Sequence, residues 1–361
     1  MVMKRVLPFA FVASLGVIVY ACSSDNNTNN PPPGNEGGTD SNTETDSNPG
    51  VDSSLGDDSG HDSGPSGSPI EGIGAVKDTF AAIGGFTDFT DGPVWFGTSL
   101  YFSDVGATPP IVVTYTPPDP NNTTPFRTPG VANATPAGAT FDEKTNTFVT
   151  LDIDGFGANS AIVRTSTDGQ TVTNITPVFD GGVPWDKPND VVARKTDGLL
   201  FVTDPAYQSA GLVNHVYRVN PQSGEVFTLV TVTQGEHPDG IALSPNSMTL
   251  YVGFANGIPK PFINKYPLAA NGTLGTAAKF AELDPNSEPG GLGVDTAGNV
   301  YAATATGIEV FKPDGSKWGK IAVPKKCTGV AFGGADRKTL YITTEQGLYE
   351  VAGLKVAGTP Q

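Results

Sequence analysis

From about residue 71 onward, short apolar runs alternate with polar, Gly-containing turns. The repeating unit is a turn, an apolar strand, a polar turn, and a second strand rich in Tyr, Phe, Val and Thr. Gly92-Pro93-Val94-Trp95-Phe96 followed by Leu100-Tyr101-Phe102-Ser103-Asp104 is the first copy. Further copies open at Gly138, Asp190, Gly240, Gly291 and Gly329, so successive starts lie 38 to 52 residues apart. A period of roughly 40–50 residues with several strands per unit marks propeller blades. The second strand is apolar at nearly every position, as an inner strand covered on both faces must be. Further strand candidates fall between copies, such as Ile162-Val163-Arg164 and His215-Val216-Tyr217-Arg218. The pattern predicts an all-β, six-bladed β-propeller over residues 71–361, with four strands per blade. Two β-sandwiches would not produce so regular a repeat.

The first seventy residues follow a different pattern. Lys4 and Arg5 precede an apolar run from Val6 to Ala21, short for a membrane span and suited to a signal-peptide core. The run ends Val19-Tyr20-Ala21-Cys22-Ser23, which resembles a bacterial lipobox. The resemblance implies cleavage after residue 21, lipidation of Cys22, and a protein held at a membrane by its anchor alone. Ser23 after the cysteine resembles an outer-membrane sorting signal, if the source has two membranes. An extracytoplasmic location is expected. Residues 22–70 form a Ser, Asp, Asn and Gly-rich tether. Its stretch 23–70 carries nine acidic residues and no Lys or Arg. So little apolar surface cannot offset chain entropy, and the segment is expected to be disordered.

Composition narrows the function. Gly 45 and Pro 31 in 361 residues suit turn-rich β structure. A net charge of -16 argues against a nucleic-acid partner, because phosphate contacts need clustered Lys and Arg. With Cys22 lipidated, Cys327 stands alone before an apolar run and reads as a buried, inert thiol. Three His (His61, His215 and His237) are too few for a His-rich catalytic site, and neither a Ser nucleophile elbow nor a zincin motif occurs.

Candidate chemistry lies in the turns before each first strand, which converge on the propeller axis. These turns carry Asp91, Ala137, Asn189, Asp239, Gly290 and Thr328. Asp91 and Asp239 with the amide oxygen of Asn189 make a hard, oxygen-rich donor set suited to Ca²⁺, Mg²⁺ or Mn²⁺. Asp and Asn beside Gly or Pro are also ordinary turn residues. Three of them at one phase of the repeat favour a site.

These stretches resemble the senescence-marker-protein and gluconolactonase family of six-bladed propellers, which includes regucalcin. The likeness covers most of 80–355. It rests on Asp91–Trp95 with Tyr101–Asp104, on Pro188-Asn189-Asp190 with Phe201–Pro205 and Tyr207, on Pro238–Pro245, and on Ala331–Gly334. The resemblance implies a divalent metal, Ca²⁺ first with Mn²⁺, Mg²⁺ or Zn²⁺ as alternatives. It places ligands at Asp91, Asn189 and Asp239, with Asn189 also meeting substrate. The implied chemistry is hydrolysis of a sugar lactone or related ester, with Asp239 and Asn189 catalytic. Asp91 stands where the family has Glu, Asp239 where it has Asn, and Gly290 where it has a catalytic carboxylate. Glu288 is a candidate to fill that gap, Gly290→Asp is expected to raise metal affinity, and His237 is a further candidate base. Gly290 and Ala137 also support an alternative: a non-catalytic surface propeller that binds a ligand or partner.

Overall fold

The computed structural model describes residues 67–79, 89–119, 122–131, 134–154, 160–179, 185, 187–205, 213–232, 235–256 and 260–360. Cys22 and the rest of residues 1–66, with Tyr207, lie outside them. Among the described residues every regular element is a β-strand, and the strands form six separate sheets around one axis, antiparallel but for one short pairing in the third. These sheets are the six blades.

Blade 1 runs through Thr90–Phe96, Ser99–Asp104, Ile111–Tyr115 and Thr123–Arg127, from axis to rim. Blade 2 runs through Thr135–Asp142, Thr147–Ile153, Ala161–Ser166 and Val172–Ile175. Blade 3 holds Val191–Ala193, Leu200–Asp204, Asn214–Val219 and Glu225–Val232. It also gains a fifth strand that the repeat did not predict: Val178–Phe179 pairs parallel to Glu225–Val226 at the rim. Blade 4 holds His237–Leu243, Thr249–Ala255, Phe262–Pro267 and Ala278–Glu282. Blade 5 holds Leu292–Val294, Val300–Thr304, Gly307–Phe311 and Lys317–Ala322.

Blade 6 closes the ring. Its inner strands Cys327–Gly333, Thr339–Thr344 and Gly347–Ala352 come from the C-terminal end, and its outer strand Lys77–Asp78 comes from the N-terminal side. Closure begins slightly earlier in the chain than the pattern suggested. Pro69 is buried and its carbonyl accepts from the Lys355 amide, while Ile70 packs on the core shared by blades 5 and 6. Neither residue behaves as tether.

The second strands are buried throughout in blades 3 and 5, Leu200–Asp204 and Val300–Thr304. Their apolar runs are therefore explained by sheets stacking on both faces. The seams are largely aromatic. Trp95 of blade 1 stacks on Tyr341 of blade 6, ring centroids 5.2 Å apart, and such a pair contributes about 1 kcal/mol beyond its buried area. Phe96 and Tyr101 of blade 1 meet Phe141 and Phe148 of blade 2. Across the closing seam, Thr90 Oγ1 donates to the Gly347 carbonyl at 2.8 Å.

Candidate functional site

Four of the six ring residues sit where a first strand bends, and Asn189 and Gly290 lie just before the first strands of blades 3 and 5. The strand register shifts between Asp91 and Val94, Pro136 and Ala139, Pro238 and Ile241, and Cys327 and Gly329. A bulge there turns the preceding side chain toward the axis. The blades also approach one another very closely. At three of these bulges the glycine faces a carbonyl of the next blade: a Cβ on Gly92 would lie 2.3 Å from Ala137 O, one on Gly138 2.5 Å from Asn189 O, and one on Gly240 only 1.8 Å from Gly290 O; at Gly329 it would meet the Pro93 ring at 2.6 Å. Hydrogen bonds follow the same path. Gly138 N donates to Asn189 O at 3.0 Å, Thr203 Oγ1 to Asp239 O at 2.6 Å, and Gly291 N to Thr328 O at 2.7 Å. The backbone of the ring is thereby fixed before any side chain acts.

At one end of the axis the ring opens into a cup of about 110 Å³, lined by Asp91, Asn189, Asp239, Gly290 and Thr328 among others. Five of the six turn residues selected from sequence therefore share one space. Ala137 is the exception: it is buried beside the ring and offers its carbonyl to Ser103 Oγ at 3.2 Å. A channel of about 60 Å³ continues from Asp91 and Asn189 down the axis to Thr359 and Pro360 near the C-terminus.

The cup is acidic and partly desolvated. Burial pushes the Asp91 carboxyl up to about 7; the charge of Asp239 adds to the rise, and the Gly92 amide 2.8 Å from Oδ1 opposes it. Asn189 is held by its backbone, its amide donating to Thr203 O at 2.8 Å. His237 is half-buried behind Asp239, with Nδ1 3.2 Å from Asn214 Oδ1, and it is not part of the cup lining. Burial lowers its pKa, which leaves the ring neutral, and the Glu288 charge opposes that shift. Cys327 is buried, and burial pushes its thiol up to about 12, as expected of an inert residue.

Sequence reasoning missed Asp190. In the other five blades the residue after the ring position is Gly92, Gly138, Gly240, Gly291 or Gly329; in blade 3 it is Asp190. That single departure from glycine was the available signal. Its carboxylate lines the axial channel and bridges two blades, Oδ1 accepting from Val191 N at 2.8 Å and Oδ2 from Ile241 N at 3.1 Å. Burial pushes its pKa up to about 8, the amide of Ile241 opposes, and the charges of Asp91 and Asp239 raise it further.

Gly290 also differs from expectation. A Cβ there would lie 2.5 Å from Thr328 O, so this backbone has no room for the carboxylate that Gly290→Asp would introduce. Glu288 does line the cup, but its Oε2 lies 3.7 Å from Lys326 Nζ. Among the described residues no group of three or more His, Cys, Asp and Glu side chains is arranged to hold a metal ion. The donors that fit a hard cation are Asp91, Asp239 and the Asn189 amide. Burial is the main cause of the raised Asp91 pKa and the Asp239 charge adds to it; a bound cation would offset both.

Comparison with known proteins bears on the fold and the family. The chain is 28% identical over 306 residues to the gluconolactonase of Zymomonas mobilis, covering 78% of this chain and 83% of that protein. It is 28% identical over 164 residues to a pentonolactonase of Haloferax volcanii, covering 44% of this chain and 53% of that protein. A Xanthomonas campestris gluconolactonase structure superposes with a TM-score of 0.63 at 23% identity, over 77% of this chain and 89% of that one. Regucalcin from Agrobacterium tumefaciens, a calcium-binding protein, does so with a TM-score of 0.60 at 17% identity, over 76% and 93%. These structures share the fold. The family model described as SMP-30/Gluconolactonase/LRE-like region matches residues 89–346, so all six inner strands fall within it, and the chain belongs to that family.

Proposed function

We propose that this chain is a divalent-metal-assisted hydrolase of a sugar lactone or a related ester. The observation that carries the proposal is the convergence of Asp91, Asn189 and Asp239, from three different blades, in one small desolvated cup. The names of two relatives, a gluconolactonase and a pentonolactonase, support the substrate class.

Asp91, Asp239 and the Asn189 amide would hold the cation, with Ca²⁺ as the first candidate. When bound, it supplies positive charge that polarises an ester carbonyl. The chain's own residues supply the rest. Asp239 accepts a proton from the attacking water as general base. Asn189 orients the substrate through its side-chain amide, which makes no protein hydrogen bond among the described residues. Asp190 ties the blade 3 strand to blade 4 and so positions Asn189 against Asp239.

The test is calorimetric titration of Ca²⁺, Mn²⁺ and Zn²⁺ into the protein, paired with hydrolysis assays on aldonolactones. Saturable binding and turnover, both lost in Asp91→Ala/Asp239→Ala, support the reading. Binding without turnover favours the alternative, a ligand-binding surface propeller, which Gly290 motivates. The lipobox at Cys22 and the acidic tether extend the proposal to an extracytoplasmic, lipid-anchored protein.

A further inference from the structure

Lactone hydrolysis develops negative charge on the carbonyl oxygen, and apart from the cation proposed above, the chain's own groups in this cup that could receive it are few. Asp91, Asp239, Glu288 and Glu345 all line it, and each repels an oxyanion. The ring amides are already engaged: Gly138 N with Asn189 O, Gly290 N with Ala303 O, Gly291 N with Thr328 O, and Gly92 N with Asp91 Oδ1. Thr328 Oγ1 donates to Thr90 O at 2.7 Å. One cationic side chain remains among the described residues that line the cup, Lys326.

Lys326 is a positioned group. Its Nζ lies 3.1 Å from Glu345 Oε1 and 3.7 Å from Glu288 Oε2, and its own carbonyl accepts from Glu345 N at 3.0 Å. Two carboxylates from different loops thus hold the ammonium over the cup. With one short ion-pair contact, an ammonium that has three donors keeps N–H groups for a ligand. The carboxylates of Glu345 and Glu288 outweigh burial and keep the group cationic.

We propose that Lys326 is a catalytic residue of this cup, receiving the charge that forms on the lactone carbonyl oxygen. The inference rests on the lactonase reading above. Water adds to the carbonyl carbon and gives a proton to Asp239, while the carbonyl π pair moves onto the oxygen facing Lys326. As that pair returns, the ring C–O bond breaks and the ring oxygen takes the proton from Asp239. The product is the open hydroxy acid, which ionises to a carboxylate.

The experiment compares the purified full chain with Lys326→Met and Lys326→Arg on D-glucono-1,5-lactone, corrected for spontaneous hydrolysis. Loss of one such donor lowers kcat by about 10²–10³-fold. Lys326→Met is therefore expected to lose about 100-fold in kcat with KM changed less than about threefold. Lys326→Arg is expected to recover about a tenth of wild-type kcat, because it restores the charge with a different reach. Melting temperature and Ca²⁺ titration report on the fold and the cup. Removing a cation beside the carboxylates should leave Ca²⁺ affinity unchanged or raised. Wild-type kcat in Lys326→Met overturns the inference, as does a change confined to KM. A collapsed melting temperature in Lys326→Met without rescue by arginine also overturns it, since the residue is then structural. A wild type that hydrolyses no aldonolactone overturns the lactonase reading, and this inference with it.

Discussion

Gly240→Ala is the perturbation that best tests whether blade closure builds the site. The new Cβ would lie 1.8 Å from Gly290 O and 2.8 Å from its carbonyl carbon. Ordinary contact begins near 3.4 Å, so the overlap is about 1.6 Å, and both sides are backbone. No side-chain rotation can relieve it. The first strands of blades 4 and 5 must separate, at a cost at the upper end of the roughly 1–3 kcal/mol typical of overpacking. For a domain of this size about 2 °C is lost per kcal/mol, so a drop of about 6 °C is expected by differential scanning calorimetry. Gly97→Ala is the control. Nothing lies within 4 Å of a Cβ there, and its φ of 62° imposes about 1–2 kcal/mol of left-handed strain alone. Gly240 neighbours Asp239, so Gly240→Ala should also weaken Ca²⁺ binding while Gly97→Ala leaves it intact. Equal melting shifts, or unchanged Ca²⁺ affinity in Gly240→Ala, would refute the argument that backbone interlock positions the cup.

Other predictions follow from the same geometry. In chelator, Asp91 and Asp190 keep protons up to about 7 and 8 that the unfolded chain releases near 3.8. The folded state therefore binds more protons across that window, so their contribution to stability is full below about pH 4 and declines as pH rises towards 8. Melting temperature should fall more steeply between pH 5.5 and 8.5 for wild type than for Asp190→Asn, and parallel profiles would count against the assignment. Cys22→Ala should move the protein from the membrane fraction to the soluble fraction of cells; unchanged fractionation would contradict the anchor. Deletion of 23–66 should leave the melting temperature unchanged, whereas deletion through 78 removes Pro69, Ile70 and the outer strand of blade 6 and should lower it by many degrees. Similar melting by the two deletions would contradict the observed closure.

The repeat was legible because an inner propeller strand has a strong local signature: an apolar run such as Leu200–Val202 behind a glycine or Asp turn. The ring was legible for the same reason. Asp91, Asn189, Asp239, Gly290 and Thr328 occupy one phase of the repeat, and the structure brings all five to one cup. What could not be read depends on contacts between blades. The fifth strand Val178–Phe179 is two residues long and has no period of its own. The tether was carried through residue 70 because the contacts of Pro69, which is buried, and of Ile70, which is half-buried, are with residues more than two hundred positions away. The exclusion of a side chain at Gly290 is set by Thr328 O in the next blade, which no local pattern reports. Lys326 carries no local signal beyond the adjacent Lys325, because Glu288 and Glu345 reach it only through the fold.

The close approach of the blades explains how such a site can change its ligands without changing its fold. Backbone carbonyls against glycines, together with Gly138 N–Asn189 O and Gly291 N–Thr328 O, carry the closure at the cup. The side chains at the ring positions carry little of it, so substitutions at 91 and 239 should change the donor set while the backbone is kept. Asp190 departs from this separation. It stands in place of the glycine, bonding Val191 N within blade 3 and Ile241 N in blade 4, and it brings a buried, titratable carboxyl into the channel. Blade 3 therefore couples closure to the electrostatics of the cup. A substitution there should disturb both stability and ligand affinity, whereas Asp91→Asn, whose side chain accepts from the adjacent Gly92 amide, should disturb affinity more than stability. Equal effects of Asp190→Asn and Asp91→Asn on melting temperature would show that the two functions are not divided in this way.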